Sequence, residues 1–392
     1  MNIRHALEPP VLNPDLKLVW VKIVITSALA ISFIVSWKLW ISSRLFPLSP
    51  IGDFLPALPA PIDYIWFSTL IGLLIAIFLS ARSRKLIFIF VVLAGLLSLF
   101  DQTRWQPWFY QFIFMLLALG LFAWKRPERK NNVVALNACR LIIVCTYFWS
   151  GLQKLNVTFI RETWPDAASS VLQFLPQLPP WFFIIVPLAE IAIGIGLLTP
   201  VLRNASVVLA TATHICILVM LVLSGENTVV WAWNISMIAF VWILFWHDRE
   251  TSRREIVALK NRFQLLVLLL FGVLPAFSLV GLWDSYLSLA LYSGNTQQAV
   301  IYVDNPVIAQ LPSTIHPHIW QGTQPFFLDI NRWSYDELNV PVYPESRIYR
   351  AVARQICKYG ENSSDIKLRI KQKPSAVTGV RESQYYDCNH LY

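Results

Sequence analysis

Charge is what this chain has least of. Only 14% of its 392 residues are Asp, Glu, Lys or Arg, while 56% are hydrophobic and the mean hydropathy is +0.53. Soluble globular proteins carry about 25% charged residues, so the shortage excludes an ordinary soluble domain and points to an integral membrane protein. Also missing are a CxxC pair, an HExxH run and any paired His/Cys spacing, which leaves no metal-site pattern. No nucleic-acid motif accompanies the net charge of +9, because the basic residues sit in short blocks between apolar runs, as membrane topology requires. The first apolar run is too long for a signal-peptide core and lacks a persuasive cleavage site. A convincing internal repeat, the main sequence argument for a transporter, is absent too.

What is present is a series of nine apolar segments, each near the roughly 20 residues that span a bilayer: Val19–Ile41, Tyr64–Ser80, Leu86–Phe100, Trp108–Trp124, Val134–Leu155, Trp181–Leu198, Ser206–Ser224, Val229–Phe245 and Phe263–Trp283. With Arg4 and Lys17, alternate loops hold 15 basic residues on one side, against Arg44, Arg104 and Arg161 on the other. The positive-inside rule then expects a cytoplasmic N-terminus and, after nine spans, a C-terminus outside, in a bacterial inner membrane with a periplasmic tail. Two proline-rich connections on the outer side, Phe46 to Ile62 and Arg161 to Trp181, are expected to fold back onto the mouth of the bundle, as a lid or a packed connector. Trp149, Trp164, Trp181, Trp231 and Trp233 are read as an aromatic belt near the outer ends.

After Trp283 the composition changes. Ala299 to Asp304, Pro325 to Ile330 and Asp365 to Gln372 read as strands. Pro344 precedes a helical stretch with Ile348, Val352 and Ile356 on one face and Gly360 as its stop. The expected architecture is an all-α polytopic membrane bundle (19–283) after a short N-terminal tail (1–18), followed by a small α+β exterior domain (284–392). The two tail cysteines, Cys357 and Cys388, are expected to form a disulfide in an oxidising compartment. Asn156-Val-Thr158 and Asn362-Ser-Ser364 match the short glycosylation acceptor pattern.

Inside the spans, Arg140, Tyr147 and Lys154 recur every seven residues and share one helix stripe. An ionisable group at membrane depth marks a site by default, although Lys154, near a helix end, could also snorkel to the interface. Glu190 and His214 both fall near mid-bilayer on consecutive helices and are expected to meet, sharing a proton or pairing. Asn234 lies near the level of Lys154. Gly194 and Gly196, with Pro187, permit close approach of another helix or a ligand. Lys154, Glu190 and His214 are therefore the candidate catalytic residues, facing one outward-opening chamber, with Tyr147 and Asn234 as candidate cofactor-binding residues.

The run Tyr147-Phe148-Trp149-Ser150-Gly151-Leu152-Gln153-Lys154-Leu155 resembles the YFxAGxxKL signature of the vitamin K-dependent γ-carboxylase and its relatives, the horizontally transferred transmembrane domain (HTTM) family, with Ser150 replacing alanine. The following helices, with Glu190, Arg203 and His214, are similar to that family and more distantly to DoxX-like and methylamine-utilisation membrane proteins. The resemblance implies a quinone or hydroquinone cofactor and a lysine base at Lys154. The shorter tail, without a recognisable propeptide-binding region, points to a shared scaffold rather than carboxylation of protein glutamate. Two functions follow as expectations. One is a membrane enzyme acting on a quinol, lipid or small organic substrate. The other is a non-catalytic DoxX-like accessory or electron-transfer component whose exterior domain binds a protein partner.

Overall fold

A computed structural model describes residues 13–52, 54–169, 178–225, 227–322 and 325–391. Among these, each of the nine apolar segments is helical: α1 Pro14–Val35, α2 Ile62–Leu79, α3 Arg84–Leu99, α4 Pro107–Phe122, α5 Glu128–Gln153, α6 Pro180–Leu198, α7 Arg203–Ser224, α8 Val229–Phe245 and α9 Arg262–Val280. Six of them, α1, α2, α5, α6, α7 and α9, are long and apolar enough to cross a membrane. Of the nine expected spans, α3, α4 and α8 are shorter, at 16, 16 and 17 residues. A helix rises about 1.5 Å per residue, so 16 residues cover about 24 Å, short of a hydrocarbon core of about 30 Å.

Helix α5 is the axis of the bundle. Leu136 to Tyr147 are buried without interruption, so this helix is covered by protein on every side rather than by lipid on one. Helix α9 packs beside it and is irregular. An α-helical start gives way to a wider π turn at Leu268–Val273 and a tighter 3-10 stretch at Leu274–Val280 that contains Pro275. Backbone groups freed by such breaks must find partners where water is scarce. Trp149 Nε1 donates to the Gly272 carbonyl at 3.1 Å, and the Tyr110 hydroxyl to Leu270 at 3.4 Å. This corrects part of the expected aromatic belt. Trp149 is 6% exposed and fastens α9, and Trp233 donates inward to Gln111 Oε1 at 3.1 Å, whereas Trp181 is exposed as a belt residue would be.

The C-terminal region forms a five-stranded antiparallel sheet in the order β2-β3-β1-β4-β5, from β1 Gln298–Val303, β2 Ile319–Trp320, β3 Phe327–Leu328, β4 Ile366–Lys371 and β5 Ser383–Asp387. Ile301 pairs with Leu328 on one side and Leu368 on the other, placing three fully buried side chains in a row. Helix α10 (Ile330–Leu338) packs near β1, and α11 (Ser346–Ile356) covers the sheet with the expected stripe Ile348, Val352 and Ile356, each at most 1% exposed. Cys357 and Cys388 are bonded, with Cα atoms 5.9 Å apart across 31 residues, tying the end of α11 to the end of the chain.

This domain seats on one end of the bundle. Glu337 accepts from the backbone N–H groups of Leu45 and Phe46, and Asn339 Nδ2 donates to the Val35 carbonyl, one of the unpaired groups at the end of α1. Phe46 is fully buried with its ring centroid 4.9 Å from that of Trp333, so the first proline-rich connection is a packed joint. The second connection, expected from Arg161 to Trp181 as a lid or a packed connector, is described only in part: Phe159–Thr163 and Trp164–Ser169 are helical, and its residues 170–177 lie outside the described residues. Asn156 is also spoken for. At 4% exposure, with bonds to Gln153, Ser293 and Phe159, it serves as a joint between α5 and the segment before β1 and is closed to glycosylation.

Candidate functional site

Two glycines decide which helices meet at the centre. A Cβ at Gly151 would lie 2.6 Å from the Pro187 carbonyl oxygen, and one at Gly194 would lie 2.9 Å from Phe148 N. Helices α5 and α6 therefore touch backbone to backbone, the small-residue packing that membrane helices use. Gly196 serves a different contact, against Ser206 of α7. Helical side chains lean toward their own N-terminus, so Lys154 at the end of α5 reaches back into the bundle rather than outward. Its Nζ donates to Ser150 Oγ one turn earlier at 2.6 Å, and to Glu190 Oε2 at 2.8 Å and Oε1 at 3.0 Å. The pair is covered by protein, with Lys154 9% and Glu190 5% exposed.

The expected meeting of Glu190 and His214 is not made directly. Both ring nitrogens of His214 are occupied by other groups. Nδ1 lies 2.7 Å from Asn234 Oδ1, and Nε2 lies 2.7 Å from the Tyr147 hydroxyl. Asn234 Nδ2 donates to the Val230 carbonyl at 2.8 Å, which fixes its amide so that Oδ1 faces the histidine. Oδ1 can only accept, so His214 carries its proton on Nδ1. In the neutral ring Nε2 then accepts from Tyr147. Adjacent helices were a sound expectation, but adjacency does not set rotation. The glycine contacts turn Glu190 toward α5, and His214 on α7 meets the next turn of that helix and α8.

All five expected site residues thus lie in one region, as two hydrogen-bonded groups: Ser150–Lys154–Glu190 and Tyr147–His214–Asn234. None is more than about a tenth exposed, so Lys154 sits inside the protein and not at a mouth.

A second charge centre lies further down the same stripe of α5. Arg140 Nη2 donates to Asp248 Oδ2 at 2.6 Å, Nε to the Leu244 carbonyl at 2.9 Å, and Nη1 to Asn137 Oδ1 at 2.6 Å. Arg203 donates to the Asp248 backbone carbonyl and, through Nη2, to the Thr251 carbonyl at 3.1 Å, while Lys17 approaches the same group. Asp248 lies just past the end of α8. Burial works to raise its carboxyl, but Arg140, Thr251 and Lys17 outweigh that and hold it below the ordinary carboxylate range. Sequence reasoning placed Arg140 on the polar stripe without finding its counter-ion. The available signal was the arginine itself, since a cation within a span demands an acid at the same level.

The fold and the buried pairs define an integral membrane protein whose polar groups face its own interior. Within it, residues 132–233 match the family profile of the methylamine utilisation protein MauE, about a quarter of the chain. That stretch carries Tyr147, Lys154, Glu190 and His214, and it ends one residue before Asn234. No curated protein and no solved structure matches the chain. The match corrects the carboxylase/HTTM and DoxX-like assignment. The glycine-to-lysine spacing that suggested it serves here to pack α5 on α6 and to place a lysine beside a carboxylate, a requirement that membrane bundles of other families share.

Proposed function

We propose that the chain is a membrane accessory protein with a structural polar core, similar to MauE over its central helices, which serves a partner protein through its C-terminal domain. The observation that carries this reading is the Lys154–Glu190 pair. The Lys154 Nζ is held by three acceptors, both Glu190 carboxylate oxygens at 2.8 and 3.0 Å and Ser150 Oγ at 2.6 Å, in a protein-covered site, which is the arrangement of a structural ion pair and not of a base open to a substrate. Two further observations support it. The C-terminal domain binds the end of the bundle opposite the one where Asp15 meets Asn132 and Arg82 meets Glu128, the end rich in basic loops. By the positive-inside rule the basic end is cytoplasmic and the domain is exterior, with divisions near residues 18 and 283. The sheet also leaves β5 as an open edge with Tyr385 54% exposed, and carries a stacked Trp320–Phe327 pair on its other side, surfaces suited to a protein partner.

The test uses full-length protein in native membranes. Crosslinking from β5 is expected to join one protein at constant stoichiometry, and deletion of the chain in a methylamine-using host to impair methylamine oxidation, while the purified protein turns over neither methylamine nor a quinol. Lys154→Arg, which keeps the charge, is expected to retain in-cell function. Turnover by the purified protein that Lys154→Arg abolishes with folding intact would overturn the proposal in favour of an enzyme.

A further inference from the structure

At the basic end of the bundle a cleft of about 560 Å³ opens between the first turns of α5 and the segment leading into α9. This is within the range of about 300–1,000 Å³ typical of small-molecule sites. Arg129 and Lys130 stand exposed on its rim, Val133, Val134 and Ala258 form apolar walls, and Asn137 and Gln264 lie deeper. The two amides are 3% and 2% exposed, and each has one end committed. Asn137 Oδ1 accepts from Arg140, which leaves its N–H pair without an acceptor among the described residues. Gln264 Nε2 donates to the carbonyls of Glu255 and Ile256, both at 3.3 Å, which leaves Oε1 as an acceptor. Glu255 also lines the cleft, with its carboxylate accepting from Ser252 N at 2.7 Å, so two cations on the rim stand against one carboxylate. Behind Asn137, Lys17, Arg140 and Arg203 surround the single carboxylate of Asp248, so the local field is positive.

We propose that this cleft binds the headgroup of an anionic phospholipid of the phosphatidylglycerol class. From Arg129 to Asn137 is eight residues of helix, about 12 Å, enough to run from the headgroup layer to the edge of the hydrocarbon. Such a lipid presents its groups in the matching order. Its phosphate meets Arg129 and Lys130 on the rim, the ester carbonyls below it accept from the Asn137 amide, and its chains run on from the valine wall. A soluble phosphate would leave that wall uncovered, and a phosphatidylcholine or phosphatidylethanolamine headgroup would bring an ammonium to a cationic rim.

The experiment measures lipid retention on the full chain by native mass spectrometry, with phosphatidylglycerol, phosphatidylethanolamine and phosphatidylcholine at equal concentration. Phosphatidylglycerol is expected to be held about thirtyfold more tightly than either, as two interfacial cations imply. Arg129→Gln/Lys130→Gln should remove the preference by withdrawing the charge. Ala258→Trp should remove it by filling the cleft with the charges intact. Equal retention of the three lipids overturns the proposal. So does a preference that survives Ala258→Trp, which would locate the lipid on the basic surface instead, or one that survives the double glutamine variant.

Discussion

Arg140 and Lys154 occupy the same stripe of one helix, yet their surroundings solve the cost of a buried cation in opposite ways. Near the basic end, three cations, Lys17, Arg140 and Arg203, crowd one carboxylate and recruit backbone carbonyls and Asn137 to spread the charge. At the centre, Lys154 has one carboxylate and one hydroxyl, in a one-to-one pair. Excess positive charge is tolerable near the interface, where water and lipid phosphates lie close, and not deep inside the bundle, where each ion needs its own partner. The first centre is arranged to hold a loop and helix ends together. The second fixes which faces of α5 and α6 meet.

The largest effect separating them is expected at Asp248. Asp248→Asn leaves three cations facing a neutral amide, and unfolding in detergent should show a loss of about 3–5 kcal/mol, the cost of breaking a buried ion pair from one side. The same group gives a pH signature. Its folded carboxyl lies below the ordinary range, so its stabilisation is complete above about pH 4 and is lost as pH falls through the folded value. Melting temperature should drop on acidification below that point, and the drop should shrink in Asp248→Asn.

A smaller effect isolates the packing that serves the central pair. Gly151→Ala places a methyl group against the Pro187 carbonyl and should cost about 1–3 kcal/mol by overpacking, with α5 and α6 forced apart. Lysine accessibility to an amine reagent should rise at Lys154 in that variant, whereas nothing should change around Arg140. Smaller still, Tyr147→Phe removes the hydroxyl that His214 Nε2 accepts from, and should cost about 1 kcal/mol. The imidazole nitrogen shifts in NMR should report the lost bond while Nδ1 remains protonated toward Asn234.

Much of this was legible in the chain. The apolar segments, the β1 and β4 strands and the α11 stripe are written in runs and periodicities that burial imposes directly. The bonding of Cys357 to Cys388 followed from their count and compartment. Strand β5 was not legible, because Ser383–Asp387 is a polar edge strand with no alternating apolar residues to betray it. At the centre, Lys154, Glu190, His214, Tyr147 and Asn234 were each identifiable as polar groups out of place in a span, but their pairing was not. Pairing depends on the rotation of α6 about its axis, which Gly151 and Gly194 set together from two different helices, and neither glycine reveals its partner alone. The motif around Lys154 misled for the same reason: its spacing encodes a packing geometry, which families with different functions can share.

The central claim is that Lys154 and Glu190 form a structural ion pair, and a double-mutant cycle in a lipid environment tests it most directly. Lys154→Met and Glu190→Leu, each alone, strand a buried charge and should lower unfolding free energy by about 3 kcal/mol or more, while the double variant, with no charge to strand, should recover most of that loss. If instead both single variants are as stable as the parent protein, the pair does not hold the bundle together, and Lys154 must be kept inside the bundle for its chemistry.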